Sequence, residues 1–297
     1  MLDPKLETFI TVAELKNFTK AAQALNLTQP AVSNHINQLE KEYNTKLFMR
    51  KKKDFTLTNE GKIALTYARR LKALHEKMIQ KIADEQTSSS HIKIGITHTS
   101  ENNNITEVLA QYANQMHNIT ITIITDSINN LYDMLENYQL DIAIVDGKKQ
   151  SGKLNYLMLD TDYLVCVLSS QHPLAKNSSI SLNQLKKENM ILRLPSSSTR
   201  SLFEATLISI NESIDSFNVL LEVDNVSTIK QLVMNNFGVS ILPQSVCIKD
   251  VKKGKIKTLP IENLSMTRQM NIAYNKDFAN TDVLNDIVTL YRTSQNK

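Results

Sequence analysis

Between Thr28 and Asn37 the chain reads TQPAVSNHIN, and its polar side chains apart from His35 are small, uncharged hydrogen-bonding groups. Amides and hydroxyls of that kind pair with base edges in a DNA major groove, Asn and Gln being matched to adenine. Thr28 stands before Gln29 and Pro30 as an N-cap stands before a first-turn proline. Val32, Ile36 and Leu39, spaced by four and three, add an apolar stripe for a core. Rotation of about 100° per residue then sets Pro30, Ser33, Asn34, Asn37 and Lys41 on the opposite face. Further along, Arg50, Lys51, Lys52 and Lys53 crowd four cations onto one short hairpin. Such a run is most often a solvated face. Beside a base-reading helix, each cation instead neutralises a phosphate and releases a counterion.

Three other clusters carry hydroxyls and backbone amides. Thr97-His98-Thr99-Ser100 follows a strand-like alternation of Ile92, Ile94 and Ile96. Ser196-Ser197-Ser198-Thr199-Arg200 follows the apolar run Met190–Arg193, and Asn225-Val226-Ser227 opens a helical pattern. Open α/β sheets bind ligands beyond the carboxyl ends of their strands, where helix N-termini offer free amides to anions. Each cluster satisfies that rule, and each also reads as ordinary N-capping. Arg200 suits either a carboxylate clamp or a salt bridge. His98, if it lines a cleft, adds a pH-sensitive contact.

Enzyme chemistry finds little footing. With six glycines the chain has no GxGxxG and no GxSxG, and its six histidines show no metal-ligand spacing. Cys166 and Cys247 sit in apolar surroundings without a CxxC, which reads as buried reduced thiols. No catalytic residue, metal or cofactor is expected. No run of about 18 apolar residues and no signal-like N-terminus is present, so a cytoplasmic location without membrane contact is expected.

The elements that must position these residues follow from periodicity. Asp3-Pro4 starts a bracing helix with Leu6, Phe9, Ile10 and Ala13 on one side. Thr19 to Leu25 forms a short helix, Asn26-Leu27 a turn, and the base-reading helix follows. Strand-like Phe55-Thr56-Leu57 closes the basic hairpin. Residues 58–86 make a long helix with Ile63, Tyr67, Leu71, Leu74, Met78 and Ile82 in a narrow stripe that calls for a partner helix. Thr87–Ser90 is a polar hinge. Beyond it, strand-like and helical segments alternate to Val145 as a βαβαβ run, a parallel-sheet subdomain. A second subdomain begins near Tyr163–Leu168 and continues through Met190–Arg193, Phe217–Val223 and Val239–Leu242, with Met270–Tyr274 and a helix at Val283–Tyr291 forming the tail. Charge divides along the same line. Residues 1–87 hold 15 Lys and Arg against 10 Asp and Glu, and the remainder 19 against 20.

TQPAVSNHINQLE, then LFMR, then LTNEG, resembles the winged helix-turn-helix of the LysR-type transcriptional regulators. QHPLA at 171–175 and NFGVSILP at 236–243 also look like that family, so the likeness spans nearly the whole chain. It implies a winged helix-turn-helix in residues 1–60 and a linker helix and hinge in 61–90. Two α/β lobes follow, residues 91–161 with 268–297 and residues 162–267, with a cleft between them as in periplasmic solute-binding proteins. It further implies double-stranded promoter DNA as one partner, RNA polymerase as another, and antiparallel pairing of linker helices into a homodimer, assembled as a homotetramer. The three hydroxyl clusters become the binding site of a small, anionic effector. Asn34 and Asn37 stand where relatives often carry basic residues, which moves weight onto Gln29, Ser33 and the wing. PSSST replaces a glycine-containing run, so extra side chains narrow the cup. The rival reading is a solute-binding or enzymatic α/β module with a vestigial DNA-binding head.

Overall fold

Capping fixes the first elements one by one. The Asp3 carboxylate accepts the Lys5 N–H and opens α1, Pro4–Leu15. Asn17 caps α2, Phe18–Ala24, and Thr28 caps α3, Gln29–Glu42, with Pro30 in its first turn. β1, Phe48–Lys51, pairs antiparallel with β2, Asp54–Leu57, and Thr58 caps α4, Asn59–Thr87. The computed structural model describes residues 2–51, 54–101, 104–116, 118–149, 152–278 and 280–295. They fall into two units, Met1–His91 with Asn137–Gln139, and Ile92–Glu136 with Leu140–Lys297.

In the first unit Phe9, Val12, Ala21, Val32, Ile36, Leu39 and Leu47 form a buried core. Phe48 joins it through edge-on contacts with Phe9 and Phe18, ring centroids 5.5 and 6.0 Å apart. The buried Glu40 carboxylate ties α3 to the wing, accepting the Leu47 N–H at 3.0 Å and pairing with Lys46. On the wing's other side, Gly61 packs so close that a Cβ there would lie 2.1 Å from the Leu47 carbonyl oxygen. Only glycine fits.

α4 buries little besides Gly61, Ala68, Ala73 and Asp84. Ile63, Tyr67, Leu71, Leu74, Met78 and Ile82 are all exposed. The polar hinge is shorter than Thr87–Ser90: the helix includes Thr87, Ser88 ends it in the left-handed conformation at φ 49°, and Ser90 already starts a strand. Asp84 explains the tightness. It is buried and accepts the Gln80 amide at 2.8 Å and the His91 N–H at 3.0 Å, so the chain is pinned as it leaves the helix.

The second unit starts with β3, Ser90–Thr97, whose last residues lie in it, and the single turn α5, His98–Glu101. There follow α6, Ile105–Gln115; β4, Ile119–Asp126; α7, Ile128–Glu136; and β5, Ile142–Asp146. β3 pairs parallel with β5, and β4 flanks β3. β6 then runs from Leu154 to Ser169 without a break. α8, Leu182–Leu185; β7, Asn189–Leu192; α9, Ser198–Ser209; β8, Asn218–Glu222; α10, Val226–Met234; β9, Ser240–Pro243; α11, Ile248–Lys252; and β10, Ile256–Leu259 build the second lobe. β11, Thr267–Asn275, returns to the first lobe, and α12, Thr281–Gln295, packs on α6.

β6 belongs to both lobes, so the start expected near Tyr163 falls inside a continuous strand. Its first half pairs with β11 and its second with β9 and β10, all antiparallel. Asp160 and Asp162 interrupt the apolar pattern there and hide the strand in the sequence. Both are accommodated by side-chain partners, Asp160 accepting the Tyr291 hydroxyl and Asp162 pairing with Arg268 and Ser245. The second lobe is mixed: β7 and β8 are parallel, and a bridge from Met190 to Val239 carries them towards β9.

Candidate functional site

The stripe on α3 faces inward, Val32, Ile36 and Leu39 each being almost fully buried. Opposite, Pro30, Asn34, Asn37 and Lys41 are exposed and Ser33 is half-buried. Gln29 donates its amide to the Ser33 hydroxyl at 3.0 Å, which orients two polar side chains on one turn. Thr28 is committed to capping, its hydroxyl accepting the Ala31 N–H. His35 belongs to the interior side: its Nδ1 lies 2.8 Å from the Thr8 hydroxyl of α1. The backbone of Arg50 and Lys51 lies in β1, paired with Phe55 and Asp54. Lys52 and Lys53 lie outside the described residues.

In the second unit a small cleft brings two of the three hydroxyl clusters together. Thr97, His98 and Thr99 come from the end of β3 and the turn after it; Ser196, Ser197 and Ser198 come from the start of α9. Asp126, Ser127 and Ile128, before and at the start of α7, line a further part, with Arg193 and Asp224. Ser100 is fully buried behind the lining and hydrogen-bonds Thr97. Thr199 and Arg200 are buried and do not line the cleft. Arg200 instead pairs with Glu204 at 2.5 Å and with Glu222 at 3.2 Å, a salt-bridge role. The third cluster is separate: Asn225 caps α10 by accepting the Thr228 N–H, and Val226 is core.

Arg193 is the charged group that pattern reading passed over. It follows Met190-Ile191-Leu192 and looked like the polar end of a strand; a cation bounded on both sides by leucine is the signal that marks it. Its side chain is 3% exposed, with Nη2 3.1 Å from Asp224 and Nη1 3.4 Å from the Thr99 hydroxyl. Nε has no hydrogen-bond partner. Burial pulls its guanidinium down from the usual arginine range, and Asp224 pulls it back. The anion it meets in the structure is the Asp224 carboxylate, and one of its donors stays unmet.

Beneath the lining the Thr97 hydroxyl donates to Asp146 Oδ2 at 3.1 Å. That carboxylate pairs with Arg268 at 2.9 Å, which pairs in turn with Asp162 at 3.1 Å, and Asp162 accepts the Ser245 hydroxyl at 2.7 Å. The cleft floor is thereby connected through buried charges to the second lobe.

Among the described residues no group of His, Cys, Asp and Glu could hold a metal ion, and no helix is long and apolar enough to cross a membrane. Comparison with known proteins finds two family models along the chain. The model of the bacterial regulatory helix-turn-helix protein, lysR family, matches residues 4–62, and that of the LysR substrate binding domain matches residues 85–295. The HTH-type transcriptional regulator CysL of Bacillus subtilis is 29% identical over 97% of this chain and 96% of its own. The fold is shared with CbnR, a LysR family regulator solved with its target DNA, at a TM-score of 0.69 and 16% identity over 98% of this chain and 99% of that one. It is shared too with the regulatory domain of Synechocystis CcmR in complex with 2-PG, at a TM-score of 0.61 and 20% identity over 68% of this chain and 97% of that one. With family models covering both units, the chain belongs to the LysR-type transcriptional regulators.

Proposed function

We propose that the protein binds promoter DNA through the exposed face of α3 and the wing, and that a small effector in the cleft modulates this binding. The observation that carries the reading is the split surface of α3. Its apolar stripe is spent on the core, while Pro30, Asn34, Asn37 and Lys41 are left exposed, with Gln29 and Ser33 preset by their own hydrogen bond. A helix with such a face enters a major groove with its N-terminal residues against base edges. The basic wing, Arg50 to Lys53, supplies phosphate contacts.

The exposed stripe of α4 supports pairing of linker helices in a homodimer, which sets two reading heads on successive major grooves. Dimers join through their effector units into a homotetramer, and an imperfect palindrome is the target. Effector binding moves the lobes, shifts the spacing of the heads and changes the access of RNA polymerase. Such coupling needs only about 1–3 kcal/mol of differential affinity between two arrangements. The protein acts in the cytoplasm and performs no catalysis.

Footprinting of the purified chain on its own genomic DNA at two salt concentrations tests the proposal. Sharp intergenic sites with two-fold symmetry, weakening as salt rises, are the expected result. An absence of binding at both concentrations, with and without candidate effectors, would return the cleft to the solute-binding reading.

A further inference from the structure

The cleft lining does not balance for a plain anion. Its fixed charges are one guanidinium, Arg193, against two carboxylates, Asp126 and Asp224, with the His98 imidazole beside them. Of the two longer helices that start at the cleft, α7 is already served by a carboxylate: Asp126 Oδ1 accepts the Ser127 N–H at 2.6 Å and the Asn130 amide at 2.8 Å. That positive helix end is neutralised by the protein itself. α9 differs, because its cap is the uncharged Ser197 hydroxyl, which accepts the Arg200 N–H, while the Ser198 and Thr199 N–H groups before it have no intrahelical acceptor. Together with the Arg193 guanidinium, which lines the cleft beside its partner Asp224, this makes one side of the cleft a seat for a single carboxylate. Asp224, paired with Arg193 at 3.1 Å, and Asp126 leave the fixed charges of the lining negative in sum. A second anionic group would meet repulsion there, whereas a positive one would be held.

Resting on the reading of this cleft as the effector site, we infer that the effector is a small zwitterion of the α-amino-acid class. Its carboxylate sits on Arg193 and the start of α9, and its ammonium is held by Asp126 and Asp224. The Thr97 and Thr99 hydroxyls on the floor provide the polar contacts between the two poles.

Isothermal titration of the full-length protein with the standard L-α-amino acids tests this. Each binder is then compared with its 2-hydroxy acid, which lacks the ammonium, and its decarboxylated amine. The expected result is at least one amino acid that binds, with both matched partners at least tenfold weaker. Arg193→Met should abolish the binding. Asp126→Asn should weaken the amino acid about tenfold and bring the 2-hydroxy acid to parity with it. Asp224→Asn supplies the same comparison if Asp126→Asn, which also alters the α7 cap, fails to fold by circular dichroism. If 2-hydroxy acids bind as tightly as amino acids and the Asn variants strengthen them, the zwitterion is overturned and an effector cleft for a plain anion remains. If no member of the three series releases heat, or if binding persists unchanged in Arg193→Met, the cleft reading falls as well.

Discussion

A Cβ on Gly61 would meet the Leu47 carbonyl oxygen at 2.1 Å, and that oxygen is backbone, with no side-chain rotamer to relieve it. Overpacking of this kind costs about 1–3 kcal/mol, so Gly61→Ala should lower the melting temperature of the first unit and loosen the wing; thermal unfolding by circular dichroism reads it. On α3 the two kinds of contact separate by substitution. Ser33→Ala should narrow the affinity gap between specific and random DNA, while Lys51→Ala should weaken both alike and flatten the salt dependence by about one. Fluorescence anisotropy across a salt series distinguishes them. A change of base preference in Lys51→Ala without any change of slope would remove the wing from the phosphates. The cysteines should be silent. Burial raises the Cys166 thiol well beyond its usual range and pushes Cys247 up to about 12. Native protein at pH 8 should therefore leave both thiols unreacted with a disulfide reagent, and two should react after denaturation. At this scale the sequence was legible where hydroxyls cluster before helices and opaque where a charge is buried. Arg193 and Asp126 lie in or beside apolar runs; the leucines on either side of Arg193 are its one signal, and Asp126 reads as a plain strand end.

Elements were easier to read than residues where one periodicity governs them. The stripe on α4 was visible because six apolar positions repeat over a run of polar ones, and all six are exposed. Fully burying such a side chain is worth about 1.5–3 kcal/mol. Met78→Lys with Ile82→Lys should thus weaken self-association by two or more powers of ten, measured by sedimentation or light scattering, without unfolding the chain. A monomer in the parent protein would contradict the pairing. β6 was read only in part, because Asp160 and Asp162 break its apolar pattern and their partners, Tyr291, Arg268 and Ser245, are distant in sequence. The hinge was overread for a similar reason. Thr87–Ser90 is polar enough to be loose, yet the contacts that pin it come from Asp84 within the helix.

For the whole molecule, the asymmetry of charge and the change from helical to alternating patterns already divided the chain near residue 90. The family match adds that division as homology, residues 4–62 and 85–295. What composition withheld was the way the second unit is joined. The strand β6 holds β11 along one half and β9 and β10 along the other, so the two lobes share one strand. That bears on how such proteins can exchange parts in evolution or in the laboratory. A crossover between two relatives at residues 161 and 162 would splice strands of different parentage within one hydrogen-bonded ladder, and would pair each half with neighbours it was not selected against. The inheritable cassette is the entire second unit. New effector specificity must arrive either as that whole block or by substitution within the cleft, and chimaeras cut between the lobes should be recovered far less often than those cut near Ser88.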